Sequence, residues 1–138
     1  MKNSLENLKK YSKIGLPHHL GLEVLDSKEG WILARLEVKP HHLAINHYLH
    51  GGTIVTLADT ACGFGCRISL PKGAIDFTTI ELKANFLGTA TEGYIQCEAK
   101  RVHAGRTTQV WDATVSNQEG KIIALFRCTQ MILYPKIG

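Results

Sequence analysis

The sequence predicts an α+β fold in which a curved antiparallel sheet wraps around one long buried helix. Three observations carry this prediction. Residues 52–70 place their apolar side chains at helical spacing, whereas two strand-like runs precede them and four follow. The connections between the last four runs are short, which favours antiparallel pairing. Helix and strands are segregated along the chain, which argues against a doubly wound, alternating fold.

The elements before the helix are short. Residues 1–16 are predicted to be a helical lead-in that contains a short polar helix over 4–13, and Pro17 is expected to end the lead-in. Two strands are then expected at 21–27 and 31–39. Apolar and polar positions alternate in the second of them, as in a half-buried strand.

The long helix is apolar on nearly all sides, which is typical of a buried helix. Gly63 and Gly65 lie within it, although each glycine costs about 1 kcal/mol relative to alanine in a helix interior. We therefore expect another backbone to approach the helix closely there. Pro71 ends the element, and the strands that follow are predicted at 76–87, 93–103, 107–116 and 121–134.

Composition limits the classes of function. A chain of 138 residues, 44% hydrophobic and 20% charged, is expected to form a single domain over 1–138. A net charge of +4 is too small to indicate nucleic-acid binding, although it suits a small phosphorylated ligand. No apolar run is long enough to span a membrane, and the N-terminus lacks a signal-peptide pattern, so a cytoplasmic protein is expected. The four cysteines lie in apolar periodic segments and are predicted to be reduced core thiols.

The most informative stretch is His50-Gly51-Gly52 at the start of the helix. Backbone N–H groups of the first helical turn have no partner within the helix and lie at its positive end. Because glycine has no side chain, a ligand oxygen can approach this backbone, as an oxyanion or a polarised carbonyl requires. The alternative is a glycine pair selected for tight packing.

Asp59 is the second candidate. It lies well inside the apolar helix, where a carboxylate is costly unless it is paired or functional. The functional interpretation is a general base or nucleophile, and the alternative is a hydrogen-bonded core aspartate. Eight residues of helix separate it from Gly51 by about 12 Å, so the two cannot act on one carbon within one chain. If both are catalytic, two antiparallel helices must share the site across a two-fold axis, which predicts a dimer or a dimer of dimers.

The HGG followed by LAD, on a long helix ahead of four strands, resembles the hotdog-fold acyl-CoA thioesterases. The resemblance covers about residues 17–134 and is greatest to the phenylacetate-pathway and related small bacterial enzymes, including those like 4-hydroxybenzoyl-CoA thioesterase. It implies hydrolysis of an acyl-CoA, with coenzyme A as part of the substrate and no separate cofactor. By position it implies catalytic roles for Asp59, for the Gly51 N–H with His50 before it, and for Thr79, which would hold either the water or the carboxylate.

The resemblance also implies substrate-binding positions and one departure. The hairpin segment would meet the nucleotide end of coenzyme A through Lys100, Arg101, Arg106 and Thr107, and Gly52 and Asn46 would lie near the thioester. Many relatives have Asn or Gln six residues before the HGG histidine, where this chain has Ala44. Either Asn46 or His47 substitutes for that amide, or the contact is missing.

Two other functions stay open at this point. A non-catalytic acyl-CoA binding or sensing module is compatible with the Ala44 departure. A hydratase or dehydratase acting on acyl thioesters is a weaker alternative, because such relatives place His and acid differently. The histidines between 41 and 50 invite a metal site, but no metal-ligand spacing accompanies them, so none is predicted.

Overall fold

The computed structural model describes residues 4–137 and contains one six-stranded antiparallel sheet and one long helix packed on its inner face. The strand order is β1-β2-β4-β5-β6-β3, so β3 is an edge strand. The elements are α1 (Ser4–Tyr11), α2 (Gly15–Leu20), β1 (Leu22–Lys28), β2 (Trp31–Glu37), a short 3-10 helix (Pro40–His42), α3 (Gly51–Ile68), β3 (Asp76–Phe86), β4 (Tyr94–Ala104), β5 (Thr108–Asn117) and β6 (Ile122–Leu133).

The predicted α+β architecture is confirmed, with each strand boundary close to its predicted place. The N-terminal segment differs in one respect: Pro17 does not end the lead-in but lies in the first turn of α2. A proline is tolerated there because the N–H groups of a first helical turn have no partner to lose. Gly21 ends α2 instead, with a left-handed φ of 84°.

The core lies between α3 and the inner face of the sheet. Alternate residues of β2 and β4 are completely buried, as the alternating pattern predicts, and they meet the apolar face of α3. All four cysteines are buried and free. Burial raises the pKa of Cys66 and of Cys97 to about 12, so these thiols stay protonated at neutral pH.

Gly63 and Gly65 make room for aromatic rings, and the expectation of a second backbone there was wrong. A Cβ atom on Gly65 would lie 2.3 Å from Cη2 of Trp111, whose ring is completely buried. A Cβ atom on Gly63 would lie 3.1 Å from Cζ of Phe77. The glycines therefore let α3 approach the sheet until its backbone contacts two flat side chains.

Helix α3 runs antiparallel to the edge strand β3, and their contacts follow each other in order. Gly51 meets Phe86 at one end, Asp59 meets Thr79 near the middle, and Gly63 meets Phe77. A β-bulge interrupts the pairing of β3 with β6 between Thr79 and Glu81. This pairing of helix and edge strand sets the position of every group described below.

One surface of α3 and β3 is not covered by other parts of the chain. Ile80, Leu82 and Phe86 of β3 are 53%, 41% and 51% exposed. The side of α3 that carries Val55, Thr56 and Asp59 is only half-buried, so the helix is less enclosed than predicted. Within residues 4–137, no helix is both long and apolar enough to cross a membrane.

Candidate active site

The start of α3 leaves one backbone donor free. His50 is the N-cap residue, and its Nδ1 accepts a hydrogen bond from the Gly52 N–H at 2.8 Å. The His50 carbonyl accepts from the N–H of Thr53 at 2.9 Å. Among residues 4–137, the Gly51 N–H has no hydrogen-bond partner. It is the donor that the sequence singles out for polarising a carbonyl, whereas the Gly52 N–H is occupied by the cap.

His42 holds this helix start in place, a role that the sequence did not reveal. Its buried imidazole accepts the Lys39 N–H at Nδ1 (2.9 Å), and Nε2 lies 2.8 Å from the Leu20 carbonyl, to which it therefore donates. Burial lowers the pKa of His42, which keeps the ring in the neutral form that this pattern needs. The His42 carbonyl accepts from the His50 N–H at 3.0 Å and from the Thr53 hydroxyl at 2.9 Å.

The loop before His50 is a tight, exposed turn. The Ala44 N–H donates to the Tyr48 carbonyl at 2.7 Å, and Asn46 Oδ1 accepts from the Tyr48 N–H at 3.2 Å. His47 has a left-handed φ of 70°, a conformation that non-glycine residues rarely adopt outside functional or strained sites. The Asn46 oxygen is thus used within the turn, and the side chain as a whole is exposed.

An apolar cleft of about 500 Å³ opens beside Gly51. It is lined by Tyr48, Leu49, Gly51, Ile54, Phe86, Gly88 and Thr89. A Cβ atom at position 51 would lie 3.0 Å from Cζ of Phe86, so a larger residue would press on the cleft wall and cover the free N–H. The cleft offers apolar surface to a substrate chain and one backbone donor to its carbonyl.

Asp59 lies in the third turn of α3, half-buried against β3. Burial raises its pKa, and a hydrogen bond from the Thr79 hydroxyl (Oγ1 to Oδ1, 3.4 Å) opposes the shift. A carboxylate whose pKa is raised toward neutrality is a stronger base than an ordinary one, and this is the property that general-base catalysis uses. Thr79 and Asp59 are therefore brought together, as predicted, although their catalytic roles stay predictions.

Gly51 and Asp59 do not converge within one chain. Both belong to the same continuous helix, Gly51–Ile68, so the axial separation of about 12 Å expected from the sequence applies. Asp59 opens onto the half-buried side of α3, next to the exposed apolar residues of β3.

A second, basic cleft lies at the other end of α3. It measures about 580 Å³, and its lining includes three basic side chains, Arg101, Arg106 and Lys72, and one acidic one, Glu29, which pairs with Arg101 at 4.0 Å. The Arg101 guanidinium donates to the Ser69 carbonyl at 3.4 Å, and the Arg106 guanidinium lies 5.6 Å above the Tyr134 ring.

Lys100 and Thr107 are not part of this cleft. Successive strand residues point to opposite faces, so Lys100 lies on the outer face of β4, where it pairs with Glu98 at 3.6 Å. Thr107 is exposed, and its backbone carbonyl accepts from the Ile132 N–H at 2.9 Å. Of the four residues that the resemblance assigns to the nucleotide end of coenzyme A, only Arg101 and Arg106 line this cleft, with Lys72 beside them.

The clustered histidines do not form a metal site. Both ring nitrogens of His42 bond to the backbone, and its ring packs 4.3 Å from that of His41. In the part of the chain that the structure describes, no three His, Cys, Asp or Glu side chains are placed to hold one ion.

The family model of the thioesterase superfamily matches residues 46–124, which contain the helix start, Asp59 and Thr79. The chain belongs to the thioesterase superfamily. Its fold is the hotdog fold of that superfamily, and the prediction of a thioester hydrolase is confirmed at this level.

Relatives of this chain include proteins named as hydrolases of coenzyme A thioesters. The 1,4-dihydroxy-2-naphthoyl-CoA hydrolase of Listeria monocytogenes is 32% identical over 84% of this chain and 94% of its own. The acyl-coenzyme A thioesterase PaaI of Escherichia coli is 30% identical over 78% of this chain and 75% of its own. A mutant of the thioesterase PA1618 from Pseudomonas aeruginosa superposes with a TM-score of 0.88, at 27% identity, over 94% of this chain and 93% of that one.

Replacing Asp59 by Asn should stabilise the folded chain at neutral pH. Between the ordinary pKa of an aspartate and the raised pKa of Asp59, the folded state holds a proton that the unfolded chain has released. Stability therefore falls as pH rises through that interval, and Asp59→Asn removes the cost. We expect a higher melting temperature than wild type at pH 7, with the difference vanishing below the ordinary aspartate pKa.

The control for this experiment is Asp112→Asn, because Asp112 pairs with Arg127 on the outer face at 2.8 Å. That variant should not raise the melting temperature. An Asp59→Asn protein that melts at or below the wild-type temperature at pH 7 would contradict the burial argument.

Proposed function

We propose that this protein hydrolyses acyl-CoA thioesters to a free carboxylic acid and coenzyme A, in sites shared between two copies of the chain. The observation that carries the proposal is the unpaired Gly51 N–H at the start of α3, facing an apolar cleft. A half-buried carboxylate with a raised pKa stands further along the same helix, at Asp59. Together they supply the two elements of acyl transfer, an oxyanion donor and a base.

The reaction follows from these groups. The Gly51 N–H donates to the carbonyl oxygen of the thioester, which accumulates negative charge as the carbonyl carbon is attacked. Asp59 takes a proton from a water molecule, the water oxygen bonds to the carbonyl carbon, and the carbon–sulfur bond breaks. The departing thiolate receives the proton from the Asp59 carboxyl group. Direct attack by the Asp59 carboxylate, followed by hydrolysis of the anhydride, uses the same groups.

His50 and Thr79 support these two groups. The His50 ring holds the Gly52 N–H through Nδ1, which fixes the turn that presents the Gly51 N–H. With Nδ1 accepting, Nε2 carries the proton and is the exposed donor nearest the helix start. Thr79 donates to Asp59 and so orients the oxygen that is not bonded to it.

Sharing of the site follows from the separation of Gly51 and Asp59. Two α3 helices lying antiparallel, with the two-fold axis beside Val55, would place each Gly51 next to the partner's Asp59. Val55 and Thr56 lie on the half-buried side of α3, and the apolar surface of β3 adjoins it. An exposed, apolar edge strand next to a half-covered helix favours a second copy of the chain at this surface.

The same arrangement places the basic cleft of the partner within the length of coenzyme A from Gly51. With Gly51 beside the partner's Asp59, the end of the partner's α3 lies about ten residues, or about 15 Å, beyond Gly51 along the axis. A pantetheine arm can span this distance, so the nucleotide phosphates would reach Arg101 and Arg106 of the partner. Arginine suits such a site because its planar fork can bond two phosphate oxygens at once.

The first test is thioester hydrolysis itself, measured as release of free thiol from a panel of acyl-CoAs. Asp59→Asn should fold and bind substrate yet lose turnover by roughly two or more orders of magnitude, since the general base is gone. Wild-type turnover in this variant would contradict the assigned role. Tight binding of acyl-CoAs by the wild-type protein without any thiol release would instead favour the binding or sensing module.

The second test addresses the shared site by mixing two inactive variants, Asp59→Asn and Gly51→Val, that carry different affinity tags. In a mixed dimer, one site receives both substitutions and the other receives neither, so about half of the wild-type activity per dimer should return. Circular dichroism and gel filtration first establish that each variant folds and forms a dimer or tetramer. A mixed dimer without activity, or an active wild-type monomer, would refute the shared site.

The third test concerns the coenzyme A end of the substrate. Arg106→Gln should raise KM for acyl-CoA roughly 10-fold and leave kcat nearly unchanged, because the phosphates contribute binding and not chemistry. The same variant should hydrolyse an acyl-N-acetylcysteamine thioester, which lacks the nucleotide, at the wild-type rate. The matched control is Lys100→Gln on the outer face of β4, whose KM should not change. An equal effect of both variants would contradict the assignment of the cleft.

A further inference from the structure

Gln130 of β6 is a buried polar side chain whose hydrogen-bonding groups are both unused. It is completely buried between the sheet and α3. Neither its Nε2 nor its Oε1 has a hydrogen-bond partner within residues 4–137. Buried amides are nearly always satisfied in folded proteins, so such an exception requires an explanation. None of the catalytic steps described above uses it.

The position of Gln130 in the sheet connects it to the catalytic carboxylate. Gln130 is the direct cross-strand partner of Thr79 on β3, so both side chains lie on the inner face. The Cβ atoms of such a pair are about 4.5–5.5 Å apart, within reach of a carboxamide or of one bridging water. Thr79 in turn donates to Asp59. A β-bulge follows Thr79 directly, and bulges beside active sites commonly re-aim a side chain.

A second glutamine provides the structural comparison. Gln109 of β5 is the cross-strand partner of Gln130 on the other side and is almost as buried. Its carboxamide is fully used: Nε2 donates to the Ser69 carbonyl at 2.9 Å, and Oε1 accepts from the Trp111 indole N–H at 2.8 Å. Gln109 therefore has a structural function in the core, whereas nothing in the fold of one chain accounts for the amide of Gln130.

We propose that Gln130 is a positioning residue for hydrolysis that acts through Thr79. Its amide N–H donates through one buried water to the Thr79 hydroxyl oxygen, so that the hydroxyl proton points at Asp59. This chain of donors stabilises the ionised carboxylate that the reaction requires and fixes the direction of its free oxygen. The inference rests on the proposed function, because it assigns Gln130 to the same site.

Other titratable groups near Asp59 do not interfere with this assignment. Cys62 follows Asp59 on α3 by three residues, and burial and its neighbour Cys128 of β6 raise the pKa of the Cys62 thiol well above its usual range. Three residues of β3 are charged. Asp76 pairs with Arg67 of α3 at 2.9 Å, and Glu81 and Lys83 lie on the outer face opposite Thr129 and Arg127. His50, which the shared site would bring near the partner's Asp59, is the other group that could give an acid limb. Asp59→Asn separates the two, because only a limb that belongs to Asp59 disappears in that variant.

The experiment compares the pH dependence of kcat/KM in wild type, Gln130→Met, Thr79→Val and the double variant. Gln130→Met keeps the size of the side chain and removes both polar groups. We expect its acid limb to move to higher pH by roughly half a unit to one unit, with kcat lowered about 3- to 10-fold at neutral pH. Because Gln130 acts through Thr79, the double variant should be no slower than Thr79→Val.

Melting temperatures separate a positioning role from a structural one. Gln130→Met should melt close to the wild-type temperature, because removing a buried carboxamide whose Oε1 is unsatisfied offsets the loss of the one proposed link to Thr79. The matched control, Gln109→Met, breaks two hydrogen bonds and should melt lower while keeping the wild-type acid limb. Restoring an amide at position 130 with Gln130→Asn should move the acid limb part of the way back.

The outcomes separate failure of this inference from failure of the proposed function. If the wild-type protein releases no thiol from any acyl-CoA, both the proposed function and the role of Gln130 are refuted. A wild-type protein whose acid limb disappears in Asp59→Asn, but whose profile is unchanged in Gln130→Met, refutes the role of Gln130 alone. If the rate losses of Gln130→Met and Thr79→Val multiply in the double variant, the role of Gln130 is also refuted, because the two residues then act independently.

Discussion

The antiparallel packing of α3 against the edge strand β3 is the contact on which the rest of the molecule depends. It brings Phe86 to Gly51 and Thr79 to Asp59 in a single register. This packing is close because Gly63 presents backbone to the ring of Phe77 of β3, and Gly65 allows the same approach to Trp111 of β5. Glycines that weaken the helix by about 1 kcal/mol each therefore allow a helix–sheet distance that bulkier residues would prevent. The geometry of the candidate site is a consequence of this approach.

Two features near the site are costly to the fold and, in the proposed reaction, useful to the chemistry. Asp59 is buried far enough for its pKa to rise, which means that its charged form opposes folding at neutral pH. Gln130 contributes an unsatisfied amide to the same face of the sheet. Stability lost at catalytic positions is common in enzymes, because groups that meet a reacting substrate cannot also be satisfied by the protein. The buried network around Gln109 and the anchoring by His42 lie close by and hold the surrounding backbone rigid.

Much of the fold and part of the site could be predicted from the sequence, for identifiable reasons. The alternation of Ile32, Ala34 and Leu36 and the helical spacing of Leu57, Ala58 and Ala61 are local patterns, and each produces its element whatever it packs against. The Gly51 donor could be predicted because a helix start always leaves N–H groups unpaired. The place of Lys100 was not foreseen, although strand alternation separates it from Arg101, because the resemblance to relatives grouped the hairpin residues together.

The sequence by itself determined the order and kind of the elements, the helix start at the HGG motif and the presence of an acid eight residues beyond Gly51. Tertiary structure decided which residues meet across elements. The His42 ring bonds to Leu20, Thr79 lies against Asp59, and Gln130 lies beside Thr79. The physical reason is range: periodicity and capping depend on neighbours within a few residues. Contacts between residues 20 to 50 positions apart depend instead on the register of strands and on how closely the helix can approach them.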